Sequence, residues 1–393
     1  MSRIDSVNNR GLYGDLLRTF RDKGHQVYIV YLSEKRYQET TVIRKVEGVT
    51  FLRVRTGDLM NVNVIKKGIA TIALERILLK AVKNYLHDVT FDLILYATPP
   101  ITLSNVIAYL KKRDNAKTYL LLKDIFPQNA VDLNMLGKGS PLYWYFRQKE
   151  QQLYRLSDYI GCMSPANVRY LLQHNPTISA DKVEVSPNTI SLFDLSEDNL
   201  ESHTMRNKYQ LPHNKVIFMY GGNLGKPQGI DFLIQCIQRN EQNKQSFILV
   251  VGSGTEYHKL QQYFDSEKPL NAILFESLPK EDYDLLLSVC DVGLIFLDKH
   301  FTIPNFPSRL LSYMQVSLPV LAATDAATDL GEIIETGNFG FSCLSDDVEK
   351  FNDLLTKLCS EKLRARLGRN ARKYLENHYT SNHSYQIIMK HFG

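Results

Sequence analysis

The chain has 393 residues, 44% hydrophobic and 23% charged, a globular composition with room for two domains of about 190 residues each. No apolar run reaches the ~18 residues of a bilayer-spanning helix, and no signal-peptide pattern opens the chain. The formal net charge of +5 hides an asymmetry, with 27 Lys and Arg against 17 Asp and Glu over residues 1–190, and 20 against 25 in the remainder. A basic front half points to an anionic partner there: a membrane surface, a phosphorylated substrate or nucleic acid. Merely solvated charge is the plainer alternative. The five cysteines (Cys162, Cys236, Cys290, Cys343, Cys359) form no metal-type pair and read as reduced, cytosolic and mostly buried.

Asn8 to Lys23 reads as an amphipathic helix and Gln26 to Tyr31 as a buried strand. A doubly wound domain should place a strand before that first helix, and Met1 to Val7 are too polar for a central one. The expectation is a fold lacking its first strand, or a start downstream of the natural one, with Asn9-Arg10-Gly11 in the first strand-to-helix loop. A weaker strand follows at 50–54. Residues 62–86 then form a helix with apolar positions Ile65, Ile69, Ile72, Leu78, Leu79 and Val82. Lys66, Lys67, Arg76, Lys80 and Lys83 stand against a single Glu75, so this helix either packs on a sheet or lies on an anionic bilayer.

Strands at 92–96, 118–122, 159–163 and 182–185 alternate with helices to about Lys112, at 141–156 and at 165–173. Their carboxyl-terminal loops carry Thr98, Asp124 and Asn188, the positions where such sheets bind ligands. Residues 191–211 are polar and read as a linker between domains 1–190 and 212–378. Strands at 216–220, 247–251, 272–275, 292–296 and 320–322 follow, with helices between them and more near 347–358 and 361–377. The fold class is α/β: two Rossmann-like domains with parallel sheets in tandem.

Three stretches of the second half carry chemistry. Tyr220-Gly221-Gly222-Asn223-Leu224-Gly225-Lys226-Pro227-Gln228-Gly229 lies between a strand end and a helix start, where bare backbone can approach a ligand and free N–H groups can meet an anion. Gly252-Ser253-Gly254 ends a second strand. Asn305-Phe306-Pro307-Ser308-Arg309-Leu310-Leu311-Ser312-Tyr313-Met314 opens a helix, with Ser308 or Asn305 as cap and Arg309 as a cation beside the first turn. Asp282-Tyr283-Asp284 spells a metal-binding Asp-x-Asp, but after Pro279 it reads as first-turn helix charge. The ten histidines show no ligand spacing, and basic clusters such as Lys111-Lys112-Arg113 lack an aromatic platform, so no metal and no nucleic acid are expected.

These stretches, with Leu318-Pro319-Val320-Leu321-Ala322, Lys23-Gly24-His25 and Asp124-Ile125-Phe126-Pro127, resemble the family 4 glycosyltransferases of the subgroup that builds O-antigens and capsules. The resemblance spans nearly the whole chain. It implies a GT-B fold, two domains facing a cleft, and a last helix (379–393) returning to brace the first domain. It implies metal-independent transfer, with retention, from a UDP-sugar to an undecaprenyl-pyrophosphate-linked saccharide, by a cytoplasmic protein peripheral on the inner membrane face through its basic half. The subgroup includes N-acetylfucosamine transferases, which makes an N-acetylated deoxyhexosamine the expected sugar.

On the donor side the resemblance implicates Gly221, Gly222, Asn223, Gly225, Gln228, Gly252, Gly254, Ser277, Leu278, Pro307, Ser308 and Ser312, with Arg309 and Lys226 as cations on the diphosphate. On the acceptor side it implicates Asp124, then Asn9, Arg10, Thr98 and Asn188. Two departures stand out. Asn223 and Gln228 occupy places where many family members have Arg and Lys, and Pro304 and Ser312 occupy the usual pair of glutamates. A non-hydrolysing UDP-sugar epimerase and a catalytically inactive partner subunit are the alternative readings.

Overall fold

Apolar strands alternating with amphipathic helices build two units in the computed structural model, which describes residues 10–58, 64–193 and 199–392, the side chains of 64–72 and 199–203 excepted. One unit comprises residues 1–191 and 381–393, the other residues 192–380. The first contains α1 (Leu12–Asp22), β1 (Tyr28–Glu34), β2 (Val42–Val46), β3 (Val49–Thr56), α2 (Val64–Tyr85), β4 (Leu93–Thr98) and α3 (Ser104–Asp114). It continues with β5 (Lys117–Leu122), α4 (Gln128–Asp132), α5 (Pro141–Leu156), β6 (Tyr159–Cys162), α6 (Pro165–His174) and β7 (Val183–Val185).

The second unit begins with α7 (Asn199–Lys208), β8 (Val216–Asn223), α8 (Ile230–Asn240), β9 (Ser246–Ser253), α9 (Tyr257–Glu267) and β10 (Ala272–Phe275). Then come α10 (Lys280–Ser288), β11 (Val292–Phe296), α11 (Arg309–Gln315), β12 (Val320–Thr324), α12 (Leu330–Thr336), β13 (Gly340–Leu344), α13 (Val348–Lys357) and α14 (Glu361–His378). The last helix, α15 (Ser381–Met389), belongs to the first unit.

In the first unit the strands form two sheets among the described residues, β1-β3-β2 and the parallel β4-β5-β6-β7. Leu16 and Phe20 of α1 and Ile388 of α15 share one core with Ile29, Tyr31, Phe51, Tyr119 and Leu121. Polar contacts fix α15 there: Thr19 Oγ1 donates to Ser381 Oγ at 2.9 Å, and the His391 ring stacks on Tyr159 at 3.7 Å. α5 starts where the Ser140 side chain accepts the Tyr143 amide at 3.2 Å, with Pro141 at the position that needs no amide.

Of the two readings of α2, its described part shows packing: Leu74, Leu78 and Val82 are buried, and the helix contacts α3 and β3. Arg76, Lys80 and Lys83 remain exposed. Ile65, Lys66, Lys67, Ile69 and Ile72 lie outside the described side chains.

The sequence reading missed α4 and α12, and three further elements. β2 pairs antiparallel with β3 through a turn at Glu47 and Gly48, both at positive φ (53° and 81°), as a two-residue hairpin turn requires. β13 extends the second sheet, and α7 occupies much of the stretch read as linker. Arg206 of α7 donates to the Val289 carbonyl at 2.8 Å and pairs with Asp291 at 3.0 Å, which ties the helix into the second unit.

The second sheet is six-stranded and parallel, in the order β10-β9-β8-β11-β12-β13. Strands buried on both faces read as continuous apolar runs, and β11 and β12 are buried at every position. Strand order reverses direction between β8 and β11, so the loops after these two strands diverge and leave an opening at their carboxyl ends.

Gly252 is where β8 and β9 demand the absence of a side chain: a Cβ there would stand 1.9 Å from the Gly222 carbonyl oxygen. Gly252→Ala should lower stability by about 1–3 kcal/mol in urea denaturation. Gly137→Ala, with nothing within 4 Å of the added carbon, is the control and should leave the midpoint unchanged.

Candidate active site

The opening between β8 and β11 is built from the glycine loop after β8 and the start of α11. Most of the loop's glycines serve the protein itself. Tyr283 lies over Gly221, its hydroxyl 2.0 Å from where a Cβ would be. Gly254 meets the Leu224 carbonyl, and Gly229, at φ 53°, packs on the backbone of Leu297 and Asp298. Asn223 Nδ2 and the Gly225 amide both donate to Gln228 Oε1, at 2.9 and 3.0 Å, so Asn223 and Gln228 close the loop on itself. Gly222 is different. It is exposed, at φ 118°, and only the guanidinium of Arg309 would touch a Cβ there, at 3.6 Å.

Arg309 is the centre of this arrangement. Its guanidinium lies over the Tyr220 ring at 4.3 Å, and its Nη1 is buried with no hydrogen-bond partner. Burial works against its charge, but the neighbouring Tyr220, Tyr313 and Tyr283 more than offset that and hold its pKa above the usual arginine value. Tyr313 is fully buried. Its hydroxyl donates to the Leu294 carbonyl at 2.9 Å and accepts the Gly221 amide at 3.2 Å, tying the glycine loop to β11. Tyr220 donates to the Asn223 carbonyl at 2.7 Å. A buried guanidinium nitrogen without a partner costs free energy, and the Nη2 of the same guanidinium stands beside Gly222, where it could donate to an anion.

The expected cap of α11 is corrected. The Ser308 side chain makes no cap bond and is exposed, and Asn305 Nδ2 donates instead to the Ile303 carbonyl at 3.3 Å. α11 has seven residues, and Leu310 and Leu311 close onto the Pro307 and Ser308 carbonyls at 3.2 and 3.1 Å. Lys226 and Ser277 are exposed; Leu278, Pro307 and Ser312 are half-buried; Pro304 is buried. The Asp-x-Asp spelling is two ion-paired surface carboxylates: Asp282 meets Lys208 at 2.9 Å and the Tyr209 hydroxyl at 3.0 Å, and Asp284 meets Lys280 at 2.7 Å.

In the first unit the loops after β4 and β5 meet. Buried Thr98 donates to the Asp124 carbonyl at 3.1 Å, and Asn129 Nδ2 donates to Asp124 Oδ2 at 2.7 Å. Burial pushes the Asp124 carboxyl up to about 6, although the Ile125 amide and Asn129 favour its anion. Lys123 beside it is pushed down to about 7 by burial, its ammonium 3.5 Å from the Ser186 carbonyl. The buried Thr102 Oγ1, Asn129 Oδ1 and Ser186 Oγ make no hydrogen bond. Two titratable groups with pKa values moved toward neutrality, among unsatisfied polar atoms at strand carboxyl ends, mark a site able to bind and move protons. Asn188 is buried nearby in sequence, Arg10 is exposed, and Asn9 lies outside the described residues. Lys123 and Asn129, and the tyrosines around Arg309, were not singled out from the sequence. In the sequence Tyr283 stands out only as the middle residue of the metal-like Asp-x-Asp spelling.

Residues 201–374 match the family of group 1 glycosyl transferases. The probable glycosyltransferase WbjE of Pseudomonas aeruginosa is 24% identical over 291 residues, covering 74% of this chain and 71% of that protein. The putative colanic acid biosynthesis glycosyl transferase WcaI of Escherichia coli strain K12 is 25% identical over 255 residues, covering 62% and 60%. The crystal structure of Anabaena HepE in complex with UDP and glucose superposes with a TM-score of 0.68 at 17% identity, covering 96% of this chain and 93% of that one. The shared architecture is the GT-B fold.

Asp124 makes a prediction with a definite sign. Its native pKa lies above the unfolded carboxylate value, so the native state holds the proton more tightly, and stability falls as pH rises from about 4 to about 6. Asp124→Asn removes this cost while keeping an acceptor for Asn129. The variant should be more stable than the parent by roughly 3 kcal/mol at pH 7, with the gap vanishing near pH 4, in urea denaturation at both pH values.

Proposed function

Since the chain is a glycosyltransferase carrying a group 1 domain over residues 201–374, we propose that it moves a sugar from a UDP-sugar to a lipid-linked saccharide acceptor in the building of a cell-surface polysaccharide, with retention and without a metal. The observation that carries this reading is the Arg309 guanidinium, whose Nη2 lies beside exposed Gly222 while its Nη1 is buried without a partner. The similarity to WcaI, a putative colanic acid biosynthesis glycosyl transferase, supports the polysaccharide setting, and the UDP and glucose in complex with HepE support the donor class.

In this reading the diphosphate of the donor rests on Gly222 and Arg309, with exposed Lys226 as a second cation. Ser312 is the hydroxyl nearest in role to the ribose, and Ser277, Leu278, Pro307 and Ser308 line the nucleotide side. The bond from the sugar's anomeric carbon to the diphosphate oxygen breaks. The acceptor hydroxyl oxygen bonds to that carbon on the same face, and its proton passes to the departing diphosphate. Cations that neutralise the leaving group lower the barrier most, because charge develops there. Asp124 accepts a hydrogen bond from the acceptor or the transferred sugar, with Thr98 and Asn129 positioning it. The reaction sits at the inner membrane face, where a lipid-linked acceptor is found.

Titration calorimetry with UDP should show saturable heat for the parent chain. Arg309→Ala should weaken binding by about 30- to 100-fold, as loss of a charge-assisted contact implies. Arg309→Lys should recover only part, because an ammonium cannot keep the planar stack on Tyr220. A parent chain with no saturable heat would refute the donor reading. Transfer assays with UDP-linked N-acetylated deoxyhexosamines as first donors should proceed equally with and without a chelator.

A further inference from the structure

The described apolar positions Leu74, Leu78 and Val82 of α2 are buried in packing, whereas the connection between α4 and α5 presents apolar side chains to solvent. Eleven large hydrophobic side chains are exposed among the described residues, and three of them fall within ten positions: Met135 at 65%, Leu142 at 42% and Trp144 at 58%. Trp144 is the only tryptophan of the chain. Exposing an indole to water is costly, and tryptophan is the side chain best suited to a water–lipid boundary, where its ring is buried and its N–H stays wet.

Charge around the tip fits the same partner. No acidic residue occurs between Asp132 and Glu150, whereas Lys138 is exposed at the tip itself. Five residues after Trp144, Lys149 pairs with Glu75 of α2 at 2.8 Å. That link brings α5 against the helix whose outward side chains Arg76, Lys80 and Lys83 are exposed. Apolar tips flanked by cations bind anionic interfaces through two additive effects, burial and attraction.

The tip is also joined to the proposed acceptor loop. Phe146, two residues after Trp144 in α5, packs edge-to-face on Phe126 at 5.0 Å, and Phe126 lies two residues after Asp124. We propose that Met135, Lys138, Leu142 and Trp144 form an insertion tip that seats the first unit in an anionic bilayer interface and brings the Asp124 loop to the headgroup of a lipid-linked acceptor. This rests on the membrane setting proposed above and adds which surface enters the lipid.

The sole tryptophan makes the test direct. The full chain is mixed with vesicles of phosphatidylcholine alone or with phosphatidylglycerol added, and both sedimentation and Trp144 emission are read. The expected result is co-sedimentation with the mixed vesicles, a blue shift of Trp144, and quenching by lipids brominated along the acyl chain. Leu142→Glu and Met135→Glu keep the probe and should each lose about tenfold in vesicle affinity. Circular dichroism and melting temperature should be unchanged for both, since these side chains are exposed. Co-sedimentation with Trp144 unshifted and unquenched would overturn the tip while leaving the membrane setting intact. Absence of co-sedimentation with either vesicle would overturn both. A dimer in analytical ultracentrifugation that Trp144→Ala turns into a monomer would reassign the tip to contact between copies of the chain.

Discussion

The proposed donor site depends on one contact: the Arg309 guanidinium is held on the Tyr220 ring, with its Nη1 facing no acceptor. Three tyrosines make this possible. Tyr220 supplies the π face, Tyr313 ties the glycine loop to β11 from beneath, and Tyr283 fills the space that Gly221 leaves. Tyr220 and Tyr313 are fully buried beneath the loop, and Tyr283 is half-buried beside it. A cation kept dry and oriented in advance interacts more strongly with a diphosphate than one recruited from solvent. The fold meets the cost of burying that charge by surrounding it with aromatic faces and hydroxyls, whose electrostatics favour the cation.

The first unit handles charge in the opposite way. Arg309 cannot lose its proton at any ordinary pH, whereas Lys123 and Asp124 are pushed by burial to about 7 and about 6. Neither of these adjacent residues is offset by an ion pair with the other: Lys123 reaches the Ser186 carbonyl and Asp124 reaches Asn129. A carboxyl near neutrality can accept a hydrogen bond from an acceptor hydroxyl as its anion, which fits the role proposed for Asp124. A permanent cation suits a leaving group whose negative charge must be matched throughout.

How legible this was depends on what each feature rests on. Parallel strands buried on both faces announce themselves as apolar runs, which is why 247–251 and 292–296 could be placed within two residues of β9 and β11. Ser140-Pro141 and Ser164-Pro165 marked helix starts by local chemistry alone. β2 was missed because Ile43, Arg44 and Lys45 are exposed, so an edge strand of a hairpin has no hydrophobic signature. α7 was missed because its sequence is polar and its place is set by Arg206 reaching Val289 and Asp291, contacts about 80 residues away in sequence. The glycine loop was overread for a related reason. Glycine marks where something approaches the backbone, but only long-range packing decides whether that is a ligand or the protein's own Tyr283 and Leu224.

The same distinction explains why Asn223 and Gln228 stand where cations occur in many relatives. Their amides satisfy each other and the Gly225 amide, and that network shapes the loop without adding charge. Positive charge is then concentrated in Arg309, with Lys226 exposed at the rim. A loop held by neutral hydrogen bonds loses little when the site is empty, whereas two further unpaired cations there would repel Arg309 by Coulomb interaction at short range. In the proposed donor site, the charge that meets the diphosphate would therefore come from one well-seated guanidinium rather than from a cluster of cations. The shape of the loop and the charge it presents are set by different residues, so each can vary without loss of the other.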